Sequence, residues 1–122
     1  MSIKGLTKAI LYIQDMDRQV SFYRDVLDLK VKYPTGLTSY HTAPWVEFET
    51  GECCLVLHVS QDKQLGKDRP KLAFSVGNVG LAHTLLTQRG AKLSPIQSRV
   101  DGFKVADGVD PEGNPFSICG QI

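Results

Sequence analysis

"KLAFSVGN", Lys71 to Asn78, decides the fold, because it repeats the pattern of "KAILYIQD", Lys8 to Asp15. Each stretch opens on a lysine, alternates small or apolar residues in the manner of a strand, and ends on a side chain suited to begin a helix. Ile10 lies over Ala73, Leu11 over Phe74, Ile13 over Val76 and Asp15 over Asn78, all at one constant offset. Near the ends of the two halves, "TGECCLVLH" lies over "EGNPFSIC", with Gly51 on Gly113 and Val56 on Ser117, at the slightly shorter offset that small loop deletions produce. A β-α-β-β-β unit repeated once means two duplicated modules rather than a solenoid, whose repeats are shorter.

Working outward, Asp15 is a candidate N-cap, and Met16, Val20, Tyr23 and Val26/Leu27 recur at helical spacing through "MDRQVSFYRDVLD". "LKVKYP" then reads as a short strand and "PTGLTSYHTAP", 34–44, as a loop long enough to serve as a flap. "WVEFET" and "ECCLVLHVS" read as a hairpin turning at Gly51. In the second half, Asn78 caps "VGLAHTLLTQR", which presents Val79, Ala82, Leu85 and Leu86 on one face and stops at Gly90. "AKLSP", "FKVADGV" and "NPFSICG" are the strands that follow. The expectation is a single α+β domain of two βαβββ modules, 1–60 and 71–122, joined by the polar linker 61–70 "QDKQLGKDRP". One helix per module covers one face of its sheet and leaves the other free to form a cleft.

Composition sets the outer limits. A chain of 122 residues with 42% hydrophobic and 22% charged residues suits one ordinary domain. A net charge of +1, with basic residues scattered rather than striped, supplies no field for nucleic acid or an anionic membrane. No apolar run is long enough to span a bilayer, and Met1 to Thr7 lacks the regions of a signal peptide, so a cytoplasmic protein is expected. Three cysteines, two of them adjacent, form neither a disulfide framework nor a CxxC pair and read as buried thiols. Dinucleotide, P-loop, zincin and nucleophile-elbow motifs do not occur.

With these elements in place, "SFYRDVLDLKV", "KLAFSVGNV" and "DPEGNPFSI" resemble the first-helix signature, the opening of the second module and the turn before the last strand of the vicinal oxygen chelate superfamily. That superfamily includes glyoxalase I, bleomycin and fosfomycin resistance proteins and extradiol dioxygenases. The resemblance implies a cup-shaped curved mixed sheet, often completed by a second subunit, holding a small molecule and frequently a divalent metal. In metal-binding members His, Gln or Glu ligands come from the first and last strands of each module; here those positions are Lys8, Val56, Lys71 and Ser117. An ammonium and a hydrocarbon have no lone pair to offer a transition metal, and a lone hydroxyl is a weak ligand. No cofactor is therefore expected, although Glu47 with His58 would be the residues of a displaced metal site.

Period-2 alternation names the neighbours of those four positions. Lys8, Ile10 and Tyr12 face the cleft and Ala9, Leu11 and Ile13 the helix; Cys54, Val56 and His58 face it from the last strand of the first module, and Trp45 and Glu47 from the strand before. In the second module Lys71, Ala73 and Ser75 face it together with Ser117. Tyr12, Tyr40, Trp45 and Phe103 are aromatic candidates to stack on a planar ligand, and Lys8 and Lys71 candidates to hold an anionic one. Two readings follow. One is a homodimeric binding protein of the bleomycin-resistance kind, in which an aromatic or anionic molecule is held and not turned over. The other is a lyase, isomerase or dioxygenase with a non-standard metal site or metal-free acid–base work by Glu47 and Lys8 or Lys71.

Overall fold

The computed structural model describes residues 8–60, 70–99 and 102–121. The chain divides into two compact units, Met1–Leu65 and Gly66–Ile122. The expected linker, 61–70, lies outside the described residues except for Pro70.

In the first unit, β1 (Lys8–Ile13) runs parallel to β4 (Cys54–Val59), which is antiparallel to β3 (Trp45–Glu49), itself antiparallel to β2 (Lys30–Tyr33). The sheet order is thus β1-β4-β3-β2. Asp15 caps α1 (Met16–Ser21) by accepting the Arg18 N–H at 3.1 Å. The expected continuous helix is divided, since Phe22–Val26 form a π-helical turn and Leu27 N–H donates to the Phe22 carbonyl at 3.1 Å. The wider turn carries Phe22 and Tyr23 together into the core, their rings edge to face at 5.3 Å, with Phe48 of β3 beyond Tyr23 at 6.1 Å. Leu11, Ile13, Val46, Phe48, Leu55 and Leu57 are buried with them. The alternation read from the sequence therefore selects the correct face of all three strands.

The second unit repeats the plan. β5 (Leu72–Ser75) is parallel to β8 (Pro115–Gly120), with β7 (Lys104–Val109) and β6 (Gln97–Ser98) added antiparallel in the order β5-β8-β7-β6. Asn78 caps α2 (Val79–Gln88) by accepting the Leu81 N–H at 3.0 Å. Gly90, at φ 96°, ends it in a Schellman turn: its N–H bonds the Thr87 carbonyl and that of Ala91 the Leu86 carbonyl. Two expectations are corrected. Leu85 is 45% exposed, because Val79 and Leu86 define a narrow buried stripe and Leu85 falls beside it. "AKLSP" supplies only a bridge from Leu93 to Gly108, since Pro95 has no N–H to continue a ladder, and the edge strand forms later at Gln97–Ser98.

The turn into β8 is held by one buried side chain. Asp110 accepts the N–H groups of Glu112 and Asn114, each at 2.9 Å, and the Asn114 amide at 2.7 Å. Gly113, at φ 84°, closes it with an N–H to the Asp110 carbonyl. Phe116 and Ile118 then enter the core while Ser117 faces the other way. No helix among the described residues is long and apolar enough to cross a membrane.

Candidate functional site

Six of the expected site residues share the helix-free face of the first sheet. Register pairs Tyr12 with His58 and His58 with Trp45, so three rings form one row across β1, β4 and β3. The His58 ring centroid lies 5.4 Å from that of Tyr12 and 5.2 Å from that of Trp45, the latter edge to face. In the next row Val56 is flanked by Ile10 and Glu47 and is fully buried. Lys8 reaches over this row. Its ammonium is 3.7 Å from a Glu47 oxygen and 5.5 Å from the Trp45 ring centroid, a joint ion pair and cation–π contact. Beyond it, Lys32 donates to the Cys54 sulfur at 3.4 Å, and that hydrogen bond raises the lysine's pKa above its ordinary value.

The second sheet carries a counterpart that the sequence reading missed. Ser117, on the inner strand β8, is flanked in register by Ala73 and Asp107, and Asp107 is 2.6 Å from the Lys71 ammonium. Lys71 and Ser117 are thus brought beside an acid not among the candidates. The signal was available: Glu47 stands opposite Val56 as Asp107 stands opposite Ser117, so extending the repeat by one strand would have found it. Phe103 lies in the connection before β7, where its carbonyl accepts the Arg99 N–H at 2.7 Å.

Other candidates take structural parts. Tyr40 is buried; its N–H donates to Asp17 of α1 at 2.6 Å while the Ser39 hydroxyl donates to the other Asp17 oxygen at 3.0 Å. The 34–44 loop is therefore docked on the helix, with Tyr40 as its anchor. It borders a polar depression of about 270 Å³ with Asp17, Ser21, Arg24 and Thr38. His83 is bonded through Nε2 to the Ser94 carbonyl at 2.8 Å. Cys53, Cys54 and Cys119 are free but half-buried, less enclosed than expected.

The positions that would hold the superfamily's metal do not fit one. Lys8 and Lys71 present ammonium groups already paired with carboxylates, Val56 presents hydrocarbon, and Ser117 a single hydroxyl. Among the described residues no three His, Cys, Asp or Glu side chains cluster closely enough to hold a metal ion.

The glyoxalase-like domain family matches residues 9–119. No curated protein matches the chain in sequence. Of solved structures, the lactoylglutathione lyase of Agrobacterium tumefaciens superposes with a TM-score of 0.75 at 19% identity, over 98% of this chain and 95% of that one. TnmS3, an antibiotic binding protein from Streptomyces sp. CB03234, gives 0.78 at 18% identity, over 97% and 96%. A glyoxalase family protein from Enterococcus faecalis gives 0.77 at 18%, over 98% and 100%. At such identities these likenesses are of fold, and they extend along the full length of both units. By its duplicated βαβββ units and by the family match across nearly its whole length, the chain belongs to the glyoxalase-like domain family, as the resemblance to the vicinal oxygen chelate superfamily anticipated.

Proposed function

We propose that this protein binds a small planar organic molecule against the open face of its first sheet and does so without a metal ion. The row of Tyr12, His58 and Trp45 carries the reading, because aromatic side chains beside a few polar groups are how small-molecule sites hold flat ligands. Both site lysines already have carboxylate partners, which favours a neutral aromatic molecule over an anion that would have to displace Glu47 or Asp107. TnmS3, which shares the fold, is an antibiotic binding protein, and this supports a small-molecule ligand for the present chain. The expected homodimer belongs to the same proposal, to be checked by light scattering.

A thermal-shift screen of planar aromatic compounds tests the binding, since a ligand of the folded state raises the unfolding temperature by mass action. Tyr12→Ala and Trp45→Ala should each weaken a hit by about 3- to 10-fold, the worth of one aromatic contact. Protein loaded with Ni²⁺, Mn²⁺, Fe²⁺ or Zn²⁺ and desalted should retain no stoichiometric metal. Tight retention abolished by Glu47→Gln or His58→Phe would overturn the metal-free part.

A further inference from the structure

Within the aromatic row, His58 is the middle ring and carries a nitrogen that can accept a hydrogen bond. Its Nδ1 lies 3.0 Å from the Val59 carbonyl oxygen. A carbonyl only accepts, so the proton is assigned to Nδ1, and in the neutral imidazole Nε2 is then a bare lone pair. Among the described residues Nε2 takes no protein hydrogen bond, whereas the other half-buried histidine, His83, spends its Nε2 on the Ser94 carbonyl. The indole N–H of Trp45 can only donate, the Tyr12 hydroxyl can donate or accept at the exposed end of the row, and one Glu47 oxygen lies 3.7 Å from the Lys8 ammonium. The row therefore holds an acceptor on the ring that stands between two others, at 5.2 and 5.4 Å.

We infer that His58 is the specificity-determining residue of this face: it selects, among planar aromatic molecules, those with an O–H or N–H donor at the ring edge. This rests on the proposed binding function. The physical basis is that a donor group loses water on entering the row and recovers a hydrogen bond from Nε2, while an ether of the same shape recovers nothing. The imidazole also supplies a flat face, so its packing and its accepting role are separable by substitution.

The test uses 2-naphthol and its methyl ether, 2-methoxynaphthalene, titrated into the intact chain near pH 8 while the Trp45 indole resonance is followed by NMR; the chain has one Trp, so the signal is unambiguous. Wild type should prefer the naphthol by about 3- to 10-fold, the range of one net hydrogen bond. His58→Phe, which keeps an aromatic ring, should bind the ether as wild type does and bring the preference to within about twofold; His58→Gln, whose amide oxygen accepts, should restore part of it. A preference that survives in His58→Phe, or equal binding of both compounds to wild type, overturns the inference and leaves the binding function standing. If neither compound moves the Trp45 resonance up to its solubility limit, the binding function fails and the inference with it. Should His58→Phe not fold, His58→Leu takes its place, since it too removes the acceptor and should bring the preference to within about twofold.

Discussion

Asp107 stands 2.6 Å from Lys71 across β8, in the relation that Glu47 holds to Lys8 across β4. In each unit the lysine begins or precedes the edge strand, the acid comes from the strand on the far side of the central one, and the residue between them, Val56 or Ser117, points to the same face. The duplication therefore extends beyond the backbone to a charged pair. In each unit it sets an ammonium beside a carboxylate on one face of the sheet.

The two pairs should differ in worth. Lys71 and Asp107 are 49% and 43% exposed, so Asp107→Asn should cost no more than about 1 kcal/mol, less in high salt. Glu47 is only 15% exposed, and Glu47→Gln should cost about 1–2 kcal/mol and shift the emission of Trp45 by releasing Lys8 from its ring. Urea titrations of both variants would check this; equal losses would contradict the assignment of Glu47 as the enclosed partner.

Asp110→Ala should be among the most damaging polar substitutions in the second unit. Removing the carboxylate leaves the Glu112 and Asn114 N–H groups and the Asn114 amide without their acceptor, in a turn where Asp110 and Asn114 are buried. A loss of about 2–4 kcal/mol is expected, from hydrogen bonds to a charged group at about 1.5–3 kcal/mol each with partial rescue by water. Asp110→Asn, which keeps one acceptor, should recover a good part when measured by the same denaturant midpoint.

Gly120→Ala tests close packing. A Cβ there would sit 2.6 Å from the Val76 carbonyl oxygen, a backbone atom that cannot swing aside, and 3.5 Å from a Val79 methyl. The expected destabilisation is about 1–3 kcal/mol, seen as a lower unfolding temperature, whereas Gly77→Ala, with open space around its Cβ, should be nearly neutral.

One pH effect follows from the surface of the π-helical turn Phe22–Val26. The Arg24 guanidinium hydrogen-bonds Asp25 at 2.7 and 3.0 Å and holds its carboxyl below the usual carboxylate range. A depressed folded pKa means the pair's contribution is complete at neutral pH and lost as pH falls through that pKa. Both side chains are substantially exposed, so solvent screening keeps it to a few tenths of a kcal/mol. Arg24→Gln should remove this part of the acid dependence, measured as stability between neutral and acidic pH, without changing stability at the acid end.

Local chemistry was legible where one residue and its immediate neighbours suffice. Asp15 and Asn78 as caps, Gly90 as a stop, the Asp110–Asn114 turn and the inward faces of β1, β3 and β4 each follow from side-chain type and period within a few residues. The repeat carried the fold class because two agreeing copies of one pattern are far more specific than either alone.

Pairing between distant strands was decided by tertiary structure. Nothing within "FKVADGV" says that Asp107 meets Lys71, since that depends on the register of β7 on β8 and of β8 on β5. Likewise the helical spacing of "VSFYRDV" does not announce a π turn; it forms where Phe22 and Tyr23 must both reach the core. The sequence by itself determined the duplicated units, their caps and the faces of their strands, because these depend on contacts a few residues apart. The charged pairs, the aromatic row centred on His58 and the docking of Tyr40 on Asp17 arose only with folding, because they join side chains that share a sheet or a helix surface and are far apart along the chain.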